Sequence, residues 1–178
     1  RGGILNKARR GEFRCPLPTG LVYDPSGHVT LDPDQQIRET IAHFFETFVR
    51  VGSAAQTVKA FRKEGLLFPS RLHNSQTVFR PLTASTAMRV LTNPRYAGAY
   101  AYGRRQYRRT INGKKTLRAR EEEDWLACIP NAHPGYISWD QHHENLKVLK
   151  ANGQGYDAAR VSIPREGPAL LQGRAVCG

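Results

Sequence analysis

Asp32 to Gly65 reads DPDQQIRETIAHFFETFVRVGSAAQTVKAFRKEG, and its periodicity decides the class of fold. Ile37, Ile41, Phe44, Phe45, Phe48 and Val49 recur on one face of a 3.6-residue repeat, which predicts an amphipathic helix. Asp32 is its expected N-cap, with Pro33 at the first helical position and Gln35 placed for a capping box. Gly52 ends it. Ser53 then caps a second helix with Gln56 three residues on, turning Ala54, Ala55, Val58 and Phe61 inward, and Gly65 stops it. Two helices joined by about three residues that include a glycine form the helix-turn-helix pattern, which helical hairpins of many folds share.

Toward the N-terminus, Leu21-Val22-Tyr23 and Val29-Thr30-Leu31 form a short extended pair around a turn at Asp24-Pro25-Ser26-Gly27. Cys15 to Gly20 is broken by two prolines. Ahead of it, Ile4, Leu5 and Ala8 sit at helical spacing, so Arg1 to Arg14 reads as the tail of a helix cut from something longer.

Toward the C-terminus, Leu66 to Leu82 reads as irregular or weakly stranded and contains Arg71 and Arg80. Thr83 caps a short helix, Ala84 to Leu91, closed by Asn93-Pro94, with Ala84, Ala87, Met88 and Leu91 as its apolar side. Tyr96 to Tyr102 alternates large and small residues, which predicts a strand paired with Asp124 to Ile129. Ser138 caps a last helix, packed through Trp139, His143, Leu146 and Leu149 and ended by Asn152-Gly153. The expected fold is mainly α with a small β component (α+β). It comprises a helix-turn-helix-like helical domain, a β-hairpin and a C-terminal helix. Residues 1–16 read as helix end and linker, 17–153 as the domain, and 154–178 as a second linker.

Charge narrows the function. Lys and Arg number 27 against 15 acids, a net +12, with a pI near 10.1. A phosphate-rich partner is the simplest cause, because each phosphate contact releases counterions. Gly103 to Arg120 alone holds eight basic residues, among them Arg104, Arg105, Arg108 and Arg109, and no acid. Asn112-Gly113 is a turn signal at its middle. The stretch is either a solvated loop neutralised by the acids Glu121 to Asp124, or an arm along a phosphate backbone that repulsion leaves disordered without it. Ser85, Thr86 and Arg89 on the short helix are side chains that reach base edges, or an ordinary surface face. No stretch is long and apolar enough to span a membrane, and no secretory signal opens the chain. Cys15, Cys128 and Cys177 are odd in number and far apart, which fits a reducing cytosol.

Catalytic chemistry finds no motif. His133, His142 and His143 with Asp140 and Glu144 suggest a metal site, but neighbouring helical residues point apart and no ligand spacing is completed. There is no phosphate-binding glycine loop, no nucleophile elbow and no paired-cysteine cluster. The expectation is a chain without catalytic residues, metal or cofactor.

Several segments together resemble the recombinase domain of large serine recombinases. They are Ala8-Arg9-Arg10-Gly11-Glu12, Leu17-Pro18-Thr19-Gly20, Leu31-Asp32-Pro33-Asp34, Gly52-Ser53-Ala54, the run Leu91 to Arg104, His133 to Trp139, and Leu171-Gln172-Gly173 with Cys177-Gly178. The pattern N-P-x-Y-x-G-x-Y-x-Y-G-R at Asn93 to Arg104 is the most specific of them. The resemblance implies a parent protein whose separate catalytic domain carries a serine that bonds to DNA, followed by this domain and then a zinc ribbon. Cys177 falls where the first zinc ligand of that ribbon would stand. It further implies that this chain holds one arm of an attachment half-site of double-stranded DNA in the bacterial cytosol, self-association residing in other domains. The short third helix would lie in the major groove, with Arg9 and Arg10 where the connecting helix leaves the DNA centre. Arg71, Arg80, Thr83, Ser85, Thr86, Arg89, Arg95, Arg104, Arg105, Arg108 and Arg109 complete the expected contacts.

Two other classes share these features. A winged-helix-like transcriptional regulator would need its own dimerisation surface or effector pocket. An RNA-binding module would stack bases on Tyr100, Tyr102 and Tyr107, which lie among arginines.

Overall fold

The computed structural model describes residues 2–72, 76–109 and 112–158. The fold is α+β, with helices outweighing short antiparallel strand pairs. Helix α1, Gly2–Arg9, buries Ala8 and leaves Ile4 half exposed. Strands β1 (Leu21–Tyr23) and β2 (Val29–Leu31) pair as the sequence predicts, Leu21 opposite Leu31.

Helix α2, Gln35–Val51, starts two residues later than expected, with Asp34 as its N-cap accepting from the Gln36 N–H at 2.9 Å. Asp32 is not the cap because its carboxylate turns inward. It accepts from the Asp34 N–H at 3.1 Å and lies 4.0 Å from the Arg71 guanidinium. Ile37, Ile41, Phe44, Phe45 and Phe48 are buried as the period predicts, whereas Val49 lies beyond the packed stripe and is exposed. Gly52 closes α2 in the left-handed conformation, φ 65°. Helix α3, Ala54–Lys63, follows Ser53 at once. Ser53 occupies the N-cap position without a side-chain cap, and its carbonyl accepts from the Thr57 hydroxyl instead. Thr57 and Phe61 are therefore the buried residues of α3, and Ala55 faces out.

The stretch read as irregular is a hairpin: β3, Leu67–Arg71, pairs with β4, Thr77–Pro81. Its prolines hide it from strand propensity. Helix α4, Ala84–Leu91, matches its prediction residue for residue, with the Thr83 hydroxyl accepting from Thr86 N–H. Its buried face is Ala87, Val90 and Leu91. Ala84 and Met88 are exposed.

The expected strand Tyr96 to Tyr102 is divided. Pro94–Ala97 forms a 3-10 turn, and only β5, Tyr100–Tyr102, is extended. Proline sets the turn and Gly98, φ 72°, reverses it. The basic stretch is a further hairpin, β6 (Arg105–Arg109) with β7 (Lys115–Ala119), rather than an unstructured arm. Strand β8, Ala127–Ile129, pairs with β5 as predicted. Helix α5, Trp139–Ala158, starts under a Ser138 cap and runs through Asn152-Gly153, which the sequence marks as its end. Its most buried residues are His142 and Asn145, one position away from the predicted face.

One core joins α2, α3, α4 and α5 through Phe44, Phe48, Phe61, Phe68, Leu91 and Tyr96. A smaller cluster packs Cys15, Tyr100 and Ala127 against Phe13, Tyr102 and Ile129.

Candidate nucleic-acid interface

The motif Asn93 to Arg104 builds one wall of an open groove, and its residues act first on the fold. The Asn93 carboxamide oxygen accepts from Arg95 N–H and, at 2.8 Å, from the Arg104 guanidinium. Tyr96 is buried, donates its hydroxyl to the Thr19 carbonyl at 2.9 Å, and lies against Phe45 and Tyr136. Burial pushes its phenol pKa well up. Tyr100 donates to the Phe13 carbonyl at 3.1 Å. The Tyr136 hydroxyl donates to Gly20 at 2.7 Å. These bonds hold the Cys15 to Gly20 segment beside α4.

The groove between them measures about 920 Å³. Thr86 and Arg89 of α4 line one side, Cys15 to Thr19 with Phe68, Pro69 and Arg71 another, and Ala101 to Arg105 the third. Five arginines line it, Arg71, Arg89, Arg95, Arg104 and Arg105, and none of the lining residues is acidic.

Three of these guanidiniums are held by the fold. Arg71 donates to the carbonyls of Leu17 and Leu21. Arg95 bridges the carbonyls of Pro16 and Ala101. Arg104, bonded to Asn93, lies 5.9 Å over the Trp125 ring. Burial first, then the charges of Arg95 and Arg105, pull the Arg104 pKa down to about 10, so it stays cationic at neutral pH. Arg89 and Arg105 reach into solvent. Thr86 accepts the Thr83 hydroxyl proton at 3.0 Å.

The structure therefore gathers six expected contact residues (Arg71, Thr86, Arg89, Arg95, Arg104 and Arg105) around one groove. It places Arg9, Arg80, Ser85 and Arg109 on exposed surface outside the groove lining. Arg10 is closed in a two-bond pair with the Glu12 carboxylate, 2.7 and 2.8 Å. Thr83 serves as the α4 cap. The Arg108 side chain and Cys177 lie outside the described residues. Sequence reading missed Asn93 as the acceptor that positions Arg104, and missed Phe68 and Pro69 as groove wall. The Asn-Pro turn was the signal for the first, and nothing local marks the second.

The histidine group does not converge. His143 pairs with Glu122 at 3.0 Å, while His142 is buried and stacked on Trp139. Among the described residues no three His, Cys, Asp or Glu side chains are arranged to hold a metal. No described helix is long and apolar enough to cross a membrane.

Comparison with known proteins places this architecture. The family model Recombinase matches residues 36–152. The Sinorhizobium fredii (strain NBRC 101917 / NGR234) protein y4bA/y4pH is 45% identical over the whole chain. The chain spans about a quarter of that relative's length, 26%. The protein in the solved structure "Crystal Structure of a LSR-DNA Complex" superposes with a TM-score of 0.54 at 13% identity, over 90% of this chain and 40% of that one. That likeness is one of fold, and with the family match over the helical core it leads to one assignment. The chain belongs to the Recombinase family of the serine recombinases.

Proposed function

We propose that this chain is a DNA-binding unit of a site-specific serine recombinase, holding one arm of an attachment half-site of duplex DNA. The observation that carries it is the groove: five arginines and no lining carboxylate. Like charges gathered this way repel one another until a polyanion enters. Arg71, Arg95 and Arg104 are pre-positioned by bonds to the fold, so little ordering entropy is lost when phosphate arrives. Helix α4 offers Thr86 and Arg89 to base edges, and Arg105 reaches the backbone. Residues 17–153 act as the binding unit, working in the bacterial cytosol without a catalytic residue of their own. Self-association belongs to other parts of the parent protein.

Anisotropy titration of a labelled duplex against salt tests the reading. Wild-type protein should bind with a steep log–log slope. Arg105→Ala should flatten it by roughly 0.9, the share of one lost phosphate contact. An unchanged slope overturns the assignment of the groove.

A further inference from the structure

The β6–β7 hairpin exposes an apolar pair. Tyr107 and Leu117 stand directly opposite each other, with 74% and 49% of their surfaces in solvent. Residues two apart on a strand share a face. Arg105, Arg109 and Lys115 therefore lie on the same side as the pair, in register with Ala119, Lys115 and Arg109 respectively. Neither strand contains an acid. Arg105 also lines the arginine groove, so the hairpin face continues that surface.

A cross-strand aromatic–aliphatic pair stabilises a hairpin whether or not it is covered. That accounts for the pairing but not for the ring of cations around it. An apolar centre rimmed by positive charge matches a surface that is apolar at the middle and anionic at its edges.

We infer that this face enters the minor groove of duplex DNA. Tyr107 and Leu117 press on the sugar walls and base steps, and Arg105, Arg109 and Lys115 meet the flanking phosphates. The inference rests on the duplex-binding reading above. The major groove fits less well, because its floor is a dense array of donors and acceptors that two apolar side chains would leave unpaired. Minor-groove walls are deoxyribose C–H faces. At A·T pairs the floor offers only acceptors, which the Tyr107 hydroxyl can satisfy as donor. The unbent groove is about 6 Å wide, narrower than a two-stranded ribbon with its side chains, so entry must open it and bend the helix. A lipid surface fits less well, since membrane-surface elements bury a broad apolar face and here it is two side chains wide.

Dimethyl sulfate separates the grooves, methylating adenine N3 in the minor groove and guanine N7 in the major. On a mixed-sequence duplex the wild-type chain should protect adenine N3 and shorten the end-to-end distance read by energy transfer between labelled ends. Tyr107→Thr with Leu117→Thr keeps strand propensity. It should bind on the order of tenfold more weakly at fixed salt, lose N3 protection and bending, and retain the wild-type salt slope. Tyr107→Phe should keep the bend and lose the preference for A·T. Absence of N3 protection by the wild-type protein, or its persistence in the Thr variant, overturns the inference while the groove reading stands on its own salt slope. Sedimentation with phosphatidylserine vesicles that the Thr substitutions abolish, with duplex contacts intact, overturns it too. A wild-type chain that binds no duplex overturns both.

Discussion

His142 is a histidine kept neutral by its surroundings. It is buried on α5, stacked on Trp139, and neither ring nitrogen finds a hydrogen-bond partner among the described residues. Burial first, then the neighbouring His143, pull its pKa down to about 4. An unfolded histidine takes its proton near pH 6.5. Between about 6.5 and 4 the unfolded chain therefore binds a proton that the folded chain refuses. The contribution is fully favourable above the unfolded pKa and is lost as the pH falls toward the folded value. The cost at pH 4 is on the order of 3 kcal/mol. His133 has its pKa lowered chiefly by burial and adds in the same direction. Thermal unfolding between pH 7 and 4 should show a falling melting temperature, and His142→Leu should flatten that fall. An equally steep decline in the variant would mean that another group controls it.

Among the elements, the 3-10 turn between α4 and β5 is held by a close crossing of two backbone segments. Gly98 sits at φ 72°, and a Cβ there would come 2.4 Å from the His133 carbonyl oxygen. Gly135 crosses it so closely that its own Cβ would meet the Gly98 nitrogen at 2.5 Å. Two backbone segments pass here with no room for a side chain. Gly52 also has a positive φ, 65°, but open space around it. The two glycines separate strain from collision. Gly52→Ala should cost about 1 kcal/mol, the left-handed penalty alone. Gly98→Ala adds a backbone clash and should cost more than about 2 kcal/mol. Urea midpoints for both variants check this, and equal losses would show that the crossing relaxes. The same turn explains the divided strand. The alternation in Tyr96 to Tyr102 is real, yet the two halves serve different structures. Tyr96 faces the main core, while Tyr100 faces the smaller cluster.

At the scale of the molecule the net charge of +12 is unevenly spent. Glu12 neutralises Arg10, Glu64 lies beside Arg50 and Asp32 beside Arg71, while the other four groove arginines and the β6–β7 strands carry no acid among their lining or strand residues. A surface arranged this way creates a positive field that attracts a polyanion. Incubated with end-labelled duplex, the chain should retard the DNA on a native gel. It should leave neither a nick nor a covalent band on a denaturing gel, and should carry no stoichiometric zinc. A covalent band would place a nucleophile in this chain, and one zinc per chain would place a metal centre in it.

The helical half of the fold was legible because periodicity and caps are local: α2, α3 and α4 follow from apolar spacing, Gly52 and Thr83. The β1–β2 pair and the β5–β8 partnership were legible from turn residues and alternation. Charge and the Asn93 to Arg104 motif together pointed to the family. What stayed hidden depended on contacts between residues far apart in the chain. Asp32 leaves the cap of α2 because Arg71 approaches it from β3. The β3–β4 hairpin forms in spite of its prolines, with Phe68 packed among Phe44 and Phe61. Arg71, Arg95 and Arg104 entered the expected contact set through charge and the family resemblance, and only the folded chain sets them around one groove. The sequence by itself determined the helices α2, α3 and α4, the turn-bounded strands β1 and β2, and the sign of the net charge, since these follow from local preferences and composition. Tertiary structure alone decided which cations converge, because convergence is a property of distances between segments that no local preference encodes.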